Sequence, residues 1–204
     1  DEWFGYLNQR RAHSFFPTFI WLNEGRFDLP GNTNDKKQQY THDLFTGFAL
    51  SFIRKNKTKP FFLYLPYTVP HSRFEIPDLG SYVDKDWPHK AKVYAAMITR
   101  MDDHIGHIMS LLKELAIDEK TIVFFCSDNG AANRYEGLFD SSGPLRGRKR
   151  DMYEGGLRTP MIVRWPKRVP ANQTSDAVWS FADFLPTAAD LANINKPEML
   201  DGIS

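Results

Sequence analysis

This 204-residue chain is poor in cysteine, in net charge, in long apolar runs and in repetition. Its one cysteine, Cys126, rules out an internal disulfide. Lodged in an apolar stretch, it reads as a small buried hydrophobe rather than a reactive thiol. A formal net charge of +1 leaves no global field to attract nucleic acid or an anionic membrane. No apolar run has the length of a transmembrane segment, and no signal peptide opens the chain, which begins at Asp1 and reads as an excised piece. What is present, 42% hydrophobic residues with 14% aromatic, suits a globular protein with one real core. Two Asn-x-Thr sequons, at Asn56 and Asn172, matter only in a eukaryotic secretory pathway.

The apolar residues are patterned. From Asp1 to about Arg26 the chain is aromatic and irregular, with Trp3, Phe4, Tyr6, Phe15, Phe16, Phe19 and Trp21 broken by Pro17. Leu29 to Asn34 reads as a loop. Thr41 or Asp43 is placed to cap a helix running to about Lys55, with Leu44, Phe48, Phe52 and Ile53 on one face. Pro60 then introduces Phe61-Phe62-Leu63-Tyr64-Leu65, an apolar run of the buried-strand kind. Pro66, Pro70 and Pro77 keep the next stretch extended. From about His89 to Ala116, Tyr94, Met97, Ile98, Met101, Ile105, Ile108, Leu112 and Leu115 recur at the three-and-four spacing of an amphipathic helix. Asp102, Asp103, His104 and His107 lie along it. A solvated face accounts for the histidine pair more simply than a metal site. Asp102 borders the apolar stripe as an anchor for neighbouring backbone. Strands are predicted at Thr121–Cys126 and Pro160–Trp165, and a last short helix from Ala182 to Asn193. This alternation predicts an α/β domain with a largely parallel sheet flanked by helices, in which ligands collect at the carboxyl ends of strands.

The chemistry concentrates at those ends. Ser127-Asp128-Asn129-Gly130 follows the Thr121–Cys126 strand and delivers a carboxylate and a carboxamide, hard oxygen donors suited to Ca²⁺ or Mg²⁺ rather than zinc. Side chains at successive strand positions point to opposite faces, so both donors reach one ion only if the backbone leaves the strand there, a turn that Gly130 permits. Asp-Asn-Gly is also ordinary turn chemistry. His71, in a loop between prolines, is poorly placed for core packing and well placed to exchange a proton with a bound group; a surface histidine is the plainer alternative. Between Gly143 and Gly156 stand Arg146, Arg148, Lys149 and Arg150, followed by Glu154-Gly155-Gly156. A solvated basic loop explains them by default, and a nucleic-acid patch explains them less well, since no recognition motif accompanies so short a cluster. A lysine beside a bound cation makes electrostatic sense when an anion lies between them, so cation, lysine and histidine together suggest a sulfate or phosphate ester.

These stretches resemble the formylglycine-dependent sulfatases of the alkaline phosphatase-like superfamily. The resemblance is carried by Phe4-Gly5-Tyr6, Pro60 to Leu65, Pro70-His71, Met101-Asp102 with Ile105-Gly106, and Ser127 to Gly130. It continues through Leu145 to Lys149, Tyr153 to Gly156 with Arg158 and Pro160, Asp183 with Pro186-Thr187, and Asp201-Gly202. It covers nearly the whole chain. It implies Asp128 and Asn129 as calcium ligands, His71 as the histidine that contacts the sulfate ester and assists departure of the alcohol, and Lys149 as a lysine on the sulfate oxygens. The implied substrates are small-molecule or carbohydrate sulfate esters, with a formylglycine nucleophile and Ca²⁺, or Mg²⁺, as cofactor. Trp3, Trp21 and Trp87 with neighbouring aromatics offer a sugar-stacking wall or simply core. The opening and Arg158–Pro166 look most like bacterial secreted or periplasmic enzymes; a eukaryotic parent would be lysosomal or secretory.

The chain departs from the family pattern in having no Cys-x-Pro-x-Arg motif, no N-terminal aspartate pair and no second Lys/His pair. Cys126, followed by Ser127-Asp128, is not the nucleophile precursor. Calcium takes about six to eight oxygens, of which Asp128 and Asn129 supply about two or three. The expectation is therefore a partial catalytic domain over residues 1–204, inactive alone. The alternatives are a phosphodiesterase or phosphonate monoester hydrolase of the same superfamily, or a non-catalytic homologue that binds anionic glycans.

Overall fold

The aromatic opening is ordered as a small sheet. In the computed structural model, which describes residues 1–132, 135 and 137–204, strands β1 (Phe4–Gly5), β2 (Phe19–Leu22) and β3 (Gly25–Asp28) pair antiparallel in that order. Asn23, at φ 52°, supplies the left-handed residue that a two-residue hairpin between β2 and β3 needs. Helix α1 (Gln9–Ala12) is a single turn capped by the Asn8 side chain, which accepts from the Arg11 amide at 3.0 Å. The polar loop before the next helix is pinned by buried Asn32, which donates to the carbonyls of Pro17 and Gln39 and accepts from the Gln39 amide, each at 2.8 Å.

Helix α2 (Thr41–Asn56) starts without a side-chain cap. Thr41 is buried instead, bonded to Tyr6 at 2.5 Å and to the Phe15 carbonyl at 3.2 Å. Asp43 accepts a forked pair of bonds from Arg100, at 2.6 and 2.5 Å, on helix α3 (His89–Glu114). The α3 stripe is buried at Met97, Leu111 and Leu112, whereas Ile98 is exposed. One core cluster joins Phe15, Tyr40, Val69, Val93 and Met97; a second joins Ile53, Leu111 and Leu112, with Phe61, Leu63 and Val123 packed on it.

Strands β4 (Val123–Cys126) and β5 (Met161–Arg164) fall where the apolar runs predict them, but they pair antiparallel, Val123 opposite Arg164 and Cys126 opposite Met161. Among the described residues the connection between them contains one short helix, α4 (Glu154–Leu157). Among the described residues every strand pairing is antiparallel. Residues 61–65 alternate between half-buried and exposed, as an extended segment does, yet join no ladder among the described residues. The loop expected between Gly130 and Tyr153 includes Asn133, Arg134 and Glu136, which lie outside the described residues.

Clustering of the backbone gives two units, Asp1–Val169 and Pro170–Ser204. Within the second, the turn Phe181–Asp183 carries a capping box between Ser180 and Asp183, and helix α5 (Phe184–Ala192) ends at Asn193, at φ 52°. Asp183 also accepts the Ile203 amide at 2.8 Å, and the Gly202 backbone lies so close to the Ala182 carbonyl that a side chain would not fit.

Candidate active site

Two loops are woven together at the end of β4. The Lys149 amide donates to the Ala131 carbonyl at 2.8 Å, and the Gly130 amide donates to the Gly156 carbonyl at 2.9 Å. The basic loop is thereby held, through its own backbone, beside the segment carrying Asp128 and Asn129. Glycine is required here by proximity. A side chain at Gly130 would run into the Gly155 carbonyl, one at Gly155 into the Gly147 carbonyl, and one at Gly156 into the Asp151 carbonyl. Gly130 is not among the positive-φ residues, so its role is to admit neighbouring backbone rather than to make a left-handed turn. The basic loop is shaped by Gly147, at φ 86°, and by Asp151, whose carboxylate accepts the Arg148 amide at 3.0 Å. Arg146 is drawn off onto Tyr153, its guanidinium 3.8 Å from the ring centre.

Asp128 is exposed, while Asn129 and Lys149 are half-buried. Among the described residues neither the Asp128 carboxylate nor the Lys149 ammonium enters an ion pair. A carboxylate left unpaired near a basic loop retains its oxygens for an external cation, so the donor chemistry fits one side of a hard-cation site. It does not complete one: no cluster of three or more His, Cys, Asp or Glu occurs among the described residues.

His71 is half-buried, with its amide bonded to the Thr68 carbonyl at 3.0 Å and its Nδ1 2.8 Å from the Ser72 carbonyl. Nδ1 is therefore the protonated donor, and Nε2 is the nitrogen left for other chemistry. A second imidazole lies against it: the His13 and His71 ring centres are 4.7 Å apart. No pattern in the sequence singles out His13. It stands in the aromatic opening, 58 positions away from His71, and only folding brings the two together. The His71 loop reaches the loop beyond Asp128 through an aromatic band. Phe74 meets Tyr94 at 5.7 Å and Tyr135 at 6.4 Å, Tyr94 meets Phe139 at 5.9 Å, and Phe139 meets Trp87 at 5.3 Å. Of the three tryptophans proposed as a wall, Trp87 belongs to this band; Trp3 and Trp21 belong to the β1–β3 region. A polar cleft of 380 Å³ is lined by residues including Asp140, Ser142, Arg148 and Asp151.

The helical residues divide differently from the expected solvated face. Asp102 and Asp103 are exposed, but the His104 side chain is only 13% exposed. Its Nδ1 lies 2.9 Å from Thr46 Oγ1 and its ring stacks on buried His42. Burial, the larger effect, lowers its pKa against the pull of Asp43. It is a packing residue, because α2 covers that part of α3. Cys126 is half-buried in β4 and burial raises its thiol pKa, which suits an unreactive side chain.

Residues 3–194 match the sequence profile of the Sulfatase family. The chain belongs to the sulfatase family. It is 33% identical over 219 residues to N-acetylgalactosamine-6-sulfatase of Canis lupus familiaris, covering 100% of this chain and 40% of that protein. It is 35% identical over 201 residues to the steryl-sulfatase of Homo sapiens, covering 93% of this chain and 32% of that protein. Among solved structures it resembles Ps i-CgsB in complex with k-i-k-neocarrahexaose, with TM-score 0.76 and 32% identity over 91% of this chain and 40% of that one. The α/β architecture is thus that of the sulfatases, the alkaline phosphatase-like fold. The chain spans about 40% of the length of the first of these relatives.

Proposed function

We propose that this chain is part of the catalytic domain of an enzyme that hydrolyses sulfate esters, with sulfated carbohydrates as substrates. The observation that carries the reading is the backbone weave that sets the Lys149 loop beside Asp128 and Asn129. A sulfate ester presents nonbridging oxygens whose charge must be balanced and an alcohol oxygen that needs a proton on departure. Lys149 would meet the first need, and His71 in its doubly protonated form, with Nδ1–H held on the Ser72 carbonyl, would meet the second by donating from Nε2. Asp128 and Asn129 would hold part of a calcium or magnesium ion, which when bound supplies further charge neutralisation. The nucleophile of this reading is a formylglycine outside the chain. The carbohydrate assignment is supported by the names of the relatives and by the aromatic band from Phe74 to Trp87, since aromatic faces suit sugar rings. The same reading puts the enzyme in the periplasm or outside a bacterial cell, or in a eukaryotic lysosome or secretory pathway. Among the described residues no helix is long and apolar enough to cross a membrane.

The test is made on the full-length protein with chromogenic sulfate, phosphate and phosphonate esters. Turnover of the sulfate ester is expected to dominate, and Lys149→Ala is expected to reduce it by about a hundredfold or more with the melting temperature retained. Preference for phosphate diesters or phosphonates would transfer the site to the neighbouring hydrolases. No turnover of any ester together with retained glycan binding would make the protein a binding homologue.

A further inference from the structure

We propose that His13 is a positioning residue for His71, holding the imidazole in the orientation that presents Nε2 to the substrate. This rests on the reading of His71 given above. An imidazole on a loop is free to turn about its outer torsion, whose rotational wells are broad, so one hydrogen bond at Nδ1 leaves the plane of the ring poorly defined. At His71 that bond goes to the carbonyl of the next residue, Ser72, at 2.8 Å, and the Ser72 hydroxyl lies 3.5 Å from the same nitrogen. Both partners belong to the His71 loop itself, so neither ties the ring to the rest of the molecule.

His13 does. Its ring packs on the His71 ring with centres 4.7 Å apart and planes inclined by 58°. It is itself fixed, because its Nδ1 lies 2.7 Å from the Gln9 carbonyl across α1. Its own carbonyl accepts the Arg73 amide at 3.4 Å, so the His13 segment holds the His71 loop by main chain as well as by ring. A further link of the same two segments runs from the Phe15 amide to the Glu75 carboxylate, 3.3 Å apart. His71 is thus flanked by cross-links, and the ring contact is the one that constrains the imidazole plane.

The experiment uses the full-length protein and a chromogenic sulfate ester. His13→Ala is expected to lower kcat by about 10- to 100-fold, the size of effect that misplacing a reacting group produces, with KM within about twofold of its original value. His13→Phe keeps the ring face without the nitrogens and is expected to recover most of that loss. Two results would overturn the inference: kcat unchanged in a folded His13→Ala protein, or His13→Phe as impaired as His13→Ala, which would make the nitrogens rather than the ring face the needed feature. His71→Ala run in parallel separates the levels. If it is inactive while His13→Ala is fully active, only the role of His13 fails; if it is fully active, the reading of His71 fails and takes this inference with it.

Discussion

His42 is 2% exposed, and neither of its ring nitrogens has a hydrogen-bond partner among the described residues. It stacks on His104, with ring centres 4.8 Å apart, and lies 4.2 Å from the Tyr67 ring. Burial first, and then the neighbouring His104, push its pKa down to about 3 from 6.5. The folded protein therefore keeps this ring neutral where the unfolded chain protonates it. Stability from this group is complete above about pH 6.5 and is lost as the pH falls from there toward 3, at roughly 1.4 kcal/mol per pH unit at most. His104 is displaced in the same direction and adds to the trend. His42→Phe is expected to flatten the acid limb of a plot of melting temperature against pH between about 7 and 4.5. An acid limb of unchanged steepness would remove His42 as its cause. At this scale the sequence was informative about residue type and silent about environment. His104 and His107 look alike on a helical projection, and only the packing of α2 against α3 buries one of them.

At the scale of elements, the instructive case is the crossing of the Gly130 segment with residues 146–156. Glycine-rich composition suggests a turn, but the glycines at 130, 155 and 156 serve close approach between backbones. Gly130→Ala is expected to cost about 1–3 kcal/mol in a denaturant titration, as overpacking does, and to reduce sulfate-ester turnover because Lys149 moves with its loop. Gly106 provides the contrast. It lies inside α3 with open space around its missing side chain, so Gly106→Ala is expected to raise stability by about 0.5–1 kcal/mol. Equal effects at the two positions would show that the crossing is not tightly packed. The helices were legible because their apolar spacing is local: α3 runs over His89–Glu114 where its stripe predicts. Strand direction was not legible. The runs at 123–126 and 161–164 have the composition of strands, but which way they pair depends on what the intervening chain does.

For the whole molecule the question is what the two donors of the β4 rim contribute when the protein is complete. Calcium binding to the native state alone stabilises it in proportion to the logarithm of the free ion concentration over its dissociation constant. The full-length protein is expected to melt at a higher temperature with calcium than with chelator, and Asp128→Ala is expected to abolish that difference. A melting temperature indifferent to calcium in the parent protein would count against the metal assignment. The charge balance argues the same way as the site. With a net charge of +1 the chain has no long-range field for polyanions, so on the proposed reading a sulfate group is recognised through the local arrangement of Lys149 and its neighbours.

Local order and family were determined by the sequence alone, because helical spacing, apolar runs and the succession of short motifs are properties of neighbours along the chain. The encounter of His13 with His71, the burial of His42 and His104, the antiparallel return of β5 and the backbone crossing at Gly130 were decided by tertiary structure. Each depends on segments far apart in sequence meeting in space, and the free energy of those meetings comes from packing and desolvation, which no single stretch of residues encodes.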